Sequence, residues 1–94
     1  MKQTIFINQQ KAIEWGLNLS QAAVFSHLYD VAKGNQLECM VSYSGVISEL
    51  PAVVDKHDTA YRLMLQLAKL GLISFEKRNG FATFTLLDKA RGWK

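Results

Sequence analysis

Apolar residues in the second half of this chain recur at two periods, and the switch between them marks a change of secondary structure. Ala60, Leu63, Met64, Leu67 and Leu70 fall three and four apart, which is the spacing of one buried helical stripe, and they predict a helix over 56–70. Its limits are chemically marked. Asp55 can cap the start, Asp58 suits the positive end of the helix dipole, and Gly71 can take the left-handed conformation that closes a helix. Beyond it, residues 72–76 and 81–86 have strand character. Asn79-Gly80 between them is a strong hairpin signal, because both residues tolerate positive φ, and a hairpin over 72–87 is predicted.

The first half is patterned more loosely. Residues 4–7 form an expected extended segment, and Asn8 can cap a helix over 8–15 that offers Ile13 and Trp15 to the core and stops at Gly16. Ser20 is the expected cap of a second helix, over 20–33, ended by Gly34. Its buried face is drawn through Ala23, Val24, Leu28 and Val31, widened by Phe25 and Tyr29. Residues 37–41 read as one short strand. Ser42 or Ser44 can cap a third helix over 43–50 with Val46, Ile47 and Leu50 inward; Pro51 stops it, since the residue before a proline is pushed out of helical backbone. The polar end, 88–94, is expected to be a loose tail or a contact arm, with Trp93 docking on the domain rather than stacking on bases.

A length of 94 residues fits one domain, divided as 1–38 (N-terminal helices), 39–87 (two helices and the hairpin) and 88–94 (tail). With 49% hydrophobic and 20% charged residues, a packed core is expected rather than disorder. No apolar run reaches the roughly 18 residues a membrane helix needs, and the N-terminus lacks a signal peptide's apolar stretch, so a cytoplasmic location and no membrane partner are expected. Cys39 stands alone, which excludes a disulfide framework or a cysteine-based zinc site, and it is expected to be a small buried hydrophobe. His27 and His57 do not form an HExxH pair, and the six glycines sit singly at caps and turns instead of in a phosphate loop. The serines show no recognisable pairing with a His and an acid, so the chain is not expected to be an enzyme, and no metal, cofactor or small-molecule ligand is expected.

The formal charge of +3 is modest but uneven. Residues 1–55 carry three Lys against five acids, whereas 56–94 carry eight Lys or Arg against three. The positive excess therefore falls on the long helix, the hairpin and the tail, as nucleic-acid contact would require. With the stripe buried, the outward positions of the long helix are Lys56, His57, Thr59, Tyr61, Arg62, Leu65, Gln66 and Lys69. Arg62 and Gln66 have the donors that suit guanine and adenine edges, while Lys56, Thr59 and Tyr61 can hold phosphates near the helix start. Lys77 and Arg78 precede the hairpin turn, where they can meet the sugar-phosphate backbone. Any amphipathic helix has a polar outer face, so a protein-contact surface around Tyr61 and Leu65 is the competing expectation. A continuous positive surface would favour DNA; an acid-interrupted surface with an apolar patch would favour protein.

The stretches Val41-Ser42-Tyr43 through Glu49-Leu50-Pro51, and Asp58-Thr59 through Leu70-Gly71-Leu72-Ile73, resemble the winged helix-turn-helix domains of phage and plasmid replication initiators. Phage replication protein O N-terminal domains are similar, and MarR-type regulators more loosely so. The resemblance covers about residues 39–87. It implies an α+β, mostly helical fold with a C-terminal hairpin wing, in which the helix ending Leu-Gly-Leu-Ile reads DNA. It further implies sequence-specific binding of double-stranded DNA by a phage or mobile-element transcription or replication regulator, through Lys56, His57, Thr59, Tyr61, Arg62, Gln66, Lys69, Lys77 and Arg78. The alternative is a winged helix reused for protein contact without DNA. The chain departs from the MarR pattern in lacking its long dimerisation helices; a homodimer is still expected, with Tyr29, Trp93 and the N-terminal segment as its surface.

Overall fold

The computed structural model describes residues 9–33, 36–51 and 54–93. Among them the chain forms helices α1 (Gln9–Trp15) and α2 (Leu19–Ala32), strand β1 (Cys39–Ser42), helices α3 (Tyr43–Glu49) and α4 (His57–Lys69), strands β2 (Ile73–Lys77) and β3 (Phe81–Leu86), and a closing 3₁₀ helix, Asp88–Trp93. The fold is α+β. The sheet is antiparallel in the order β1-β3-β2, so β3 is central, pairing Val41 with Ala82 on one side and Phe75 with Phe84 on the other. Period two then decides which side chains go in: Ala82, Phe84 and Leu86 are buried under the helices, while Thr83 and Thr85 alternate with them. Helices first and a hairpin last is an arrangement compatible with a winged helix.

Helix ends show where local chemistry wins over simple pattern. The cap of α2 is Asn18, not the expected Ser20: Asn18 Oδ1 accepts from the Gln21 amide at 2.8 Å and Gln21 Oε1 accepts from the Asn18 amide at 2.9 Å. This reciprocal pair satisfies two amide donors at once, which a lone serine hydroxyl cannot do. Ser42 caps α3, its hydroxyl accepting from Gly45 N–H at 2.9 Å. At α4 the cap position falls on Lys56, without a side-chain cap, and the Asp55 carboxylate expected there accepts from the Thr59 hydroxyl at 3.4 Å instead. The other end is as expected. Gly71 has φ +80°, with Leu72 N–H donating to Leu67 O at 3.2 Å and Gly71 N–H to Ala68 O at 3.0 Å, a complete Schellman closure. In the hairpin turn Gly80 alone uses positive φ, at +85°, and Asn79 does not. Asn8, the 4–7 segment and Gly34 lie outside the described residues.

The core lies between α2, α4 and the inner face of the sheet. In α2, Ala22, Ala23, Val24, Phe25 and Ser26 are all buried, so this helix is surrounded rather than laid on one face. That explains the correction at Val31, which is 38% exposed because the buried row continues from Leu28 to Ala32. Ile13 is likewise exposed, since α1 turns Ala12 inward and Trp15 partly so. Cys39 is half-buried, its thiol 3.4 Å from Leu37 O, and the strand begins there rather than at Leu37 because register with β3 starts at Cys39 opposite Phe84. The segment after β3 is not a loose arm. Trp93 is buried, stacked on Trp15 at 5.6 Å between centroids and edge-on to Phe25 at 4.9 Å, so it docks on the domain and is withdrawn from any dimer surface.

Candidate nucleic-acid interface

α4 buries Ala60, Leu63, Met64 and Leu67. Its opposite edge runs through Asp58, Arg62, Leu65 and Lys69, all exposed except half-buried Leu65. Arg62 stands on this open edge. Lys69 is at the far end, roughly 18 Å along the axis from His57 at 1.5 Å per residue. Gln66 is turned the other way: its Oε1 accepts from Gln21 Nε2 at 2.7 Å, so it faces α2 and belongs to the Asn18–Gln21 cap network rather than to the open side expected of it. Thr59 is half-buried with its hydroxyl given to Asp55.

The structure brings the first turn of α4 and the hairpin turn together. His57, Asp58 and Tyr61 form one wall of a cleft of about 250 Å³, and Lys77, Arg78 and the Asn79-Gly80 turn form the other. Three contacts hold this geometry. Gly80 O accepts from Tyr43 N–H at 3.3 Å, tying the turn to the start of α3, and the Tyr61 ring lies between Phe75, edge-on at 5.8 Å, and the Lys77 ammonium, 4.7 Å from its centroid. Arg78 pairs with Glu76 at 2.8 Å. Both side chains of that pair are about half-exposed or more, so the pair contributes only about 0.2–1 kcal/mol and leaves most guanidinium donors for a ligand.

Tyr43 lies at the floor of the cleft and was missed as a site residue, for nothing in its sequence context distinguishes it from a core aromatic. It is 2% exposed, its ring is 5.7 Å from that of His57, and its hydroxyl has no hydrogen-bond partner among the described residues. Burial, and then the nearby Tyr61 hydroxyl, push its pKa above the ordinary tyrosine value, so it is an O–H donor at neutral pH. His57 Nε2 is 3.4 Å from Ser44 Oγ. Around this site acids interrupt the positive surface, with Asp58 in the cleft and Glu76 on β2, while Tyr61 and Leu65 are half-buried and do not make an exposed apolar patch. Neither simple expectation for the surface is met in full.

Among the described residues there is no group of three or more His, Cys, Asp or Glu placed to hold a metal, and no helix long and apolar enough to cross a membrane. A second recess, on the sheet, is lined by Glu38, Glu76, Ser74 and Thr85 among others and contains none of the expected site residues. Comparison with family models, with curated proteins and with solved structures returned no match.

Proposed function

We propose that this chain binds double-stranded DNA with sequence preference, α4 entering the major groove and the β2–β3 turn resting on the flanking backbone, as a cytoplasmic regulator of transcription or replication in a phage or mobile element. The observation that carries this reading is the position of Lys77 and Arg78 beside the first turn of α4, with Arg62 exposed on the adjoining edge. A recognition helix delivers side chains of its N-terminal half to base edges while neighbouring turns hold phosphates. Arg62 is the base-reading residue in this reading, and Lys56, Lys77 and Arg78 supply backbone contacts. Tyr61 is held by Phe75 and Lys77 and offers its hydroxyl. Gln66 is taken up by its bond to Gln21 of α2 and is not assigned to the DNA.

One such helix covers few base pairs, so two copies on half-sites roughly 34–36 Å apart give the affinity a regulator needs. The acids Asp58 and Glu76 favour the second reading, a protein-contact surface, because interspersed charges partly cancel within a Debye length of about 8 Å. Selection from a random duplex pool at near-physiological salt decides between them. Enrichment of one motif is the expected result, and a pool that stays random after repeated rounds would remove the DNA reading.

A further inference from the structure

We infer that the free edge of β1 pairs antiparallel with the β1 edge of a second copy of this chain, Met40 of one copy opposite Met40 of the other. The order β1-β3-β2 leaves β1 at one end of the sheet. Backbone groups of an antiparallel strand point alternately to one neighbour and to the other, so a single bond fixes the phase of the whole strand. Tyr43 N–H donates to Gly80 O, in line with the register that pairs Val41 with Ala82 and Cys39 with Phe84. Those residues therefore turn their backbone groups to β3. Met40, opposite Thr83 and between them, turns its N–H and C=O to the open side. On the far side of β3, Arg78 N–H donates to Phe81 O, which is the phase this alternation requires.

A second copy fits this edge by its own symmetry. A two-fold axis at Met40 exchanges N–H for C=O between identical residues, and it sets Glu38 of each copy opposite Ser42 of the other, so no like charges face across it. Cys39–Ser42 carries neither charge nor proline, the devices that keep an edge strand from pairing, whereas β2 at the other end carries Glu76 and Lys77. Leu37 and Met40, 71% and 65% exposed, add apolar surface at the same edge. Four residues make a short ladder, so the dimer is a weak one. The pairing rests on the sheet edge alone; only its use on two DNA half-sites depends on the reading above.

The test is amide hydrogen exchange of the whole chain, without DNA, at rising protein concentration, with sedimentation alongside. Protection of the Met40 amide should grow as the mass moves to that of two chains, while the Val41 amide, facing β3, should stay protected throughout. Met40→Pro removes the outward N–H and leaves the bonds to β3, so it should abolish the dimer. Met40→Lys keeps the backbone and sets like charges together at the axis, which should weaken association by about five-fold and serves if the proline variant fails to fold. In a Cys39→Ser chain, Met40→Cys should form an intermolecular disulfide under mild oxidation, because the Cα separation of about 5.5 Å in a hydrogen-bonded pair suits that bond. Ser74→Cys, exposed on β2, should not. A Met40 amide protected at every concentration in a monomeric chain, its edge covered by the chain's own residues, would overturn the proposal, as would one that exchanges freely at every concentration or a dimer that Met40→Lys leaves intact. A dimer that binds no duplex keeps the edge pairing and rejects the DNA reading; duplex binding by a chain that stays monomeric rejects the edge pairing alone.

Discussion

The two sides of α4 are built on opposite principles. Behind it, α2 and the segment after β3 bury Leu28 beside the edge-on and stacked rings of Phe25, Trp93 and Trp15, and no charged side chain is buried among the described residues. In front of it, every charged side chain is exposed, and the contacts among them, such as Arg78 to Glu76 and Lys77 over Tyr61, are individually weak. Burial of one aromatic stabilises by several times what an exposed ion pair does. The back therefore sets stability, and the front can vary its charges without cost to the fold. Substitutions that touch one side should leave the other's property nearly unchanged.

The largest effect is expected at the back. Phe25→Ala should lower stability by about 3–5 kcal/mol, measured by denaturant titration, while the folded fraction keeps its affinity for the preferred duplex. On the front, Arg62→Ala should leave stability within about 0.5 kcal/mol and weaken the preferred site by about 1–3 kcal/mol, relaxing one base position. An unfolded Arg62→Ala chain would break the comparison. At the join, Asn18→Ala should cost about 1 kcal/mol by opening the capping box, and, through Gln21 and Gln66, should perturb the amides of α4.

The smallest effect concerns pH. Burial holds the His27 pKa below its ordinary value, outweighing Glu49 and Asp30, which act in the opposite direction. The unfolded chain then binds the proton more readily, so this contribution is complete above the unfolded value of about 6.5 and is lost as pH falls through the lower, folded value. Thermal scans should show a decline below that pH which His27→Gln removes; a parent whose stability rises on acidification through this window would contradict the assignment.

Where one local rule governed a segment, the sequence was legible. α4 has a single buried stripe closed by Gly71, and the hairpin turns at Asn79-Gly80, so both lie within one or two residues of their expected limits. α2 was harder because it is buried on several sides, which erases the periodicity that would have excluded Val31 and made Phe25 the centre of the core. Asn18 was overlooked because its cap depends on a partner three residues later. In the candidate site, the helix face and the turn cations could be named from spacing, but their juxtaposition needs β1-β3-β2 pairing to bring Gly80 to Tyr43. Gln66 and Trp93 show the converse. Gln66 looked available on a helical wheel and a long-range contact to Gln21 engages it, while Trp93 docks on the domain as expected but is thereby lost to the dimer surface also expected of it.

The most direct measurement is the salt dependence of binding to a preferred duplex, for the parent chain and for Lys77→Ala/Arg78→Ala. Each lost phosphate contact lowers the slope of log affinity against log salt by about 0.9, so the account predicts a fall of nearly two, with sequence preference and stability retained. Equal slopes for the two proteins, or no measurable binding of the parent to any duplex, would contradict it.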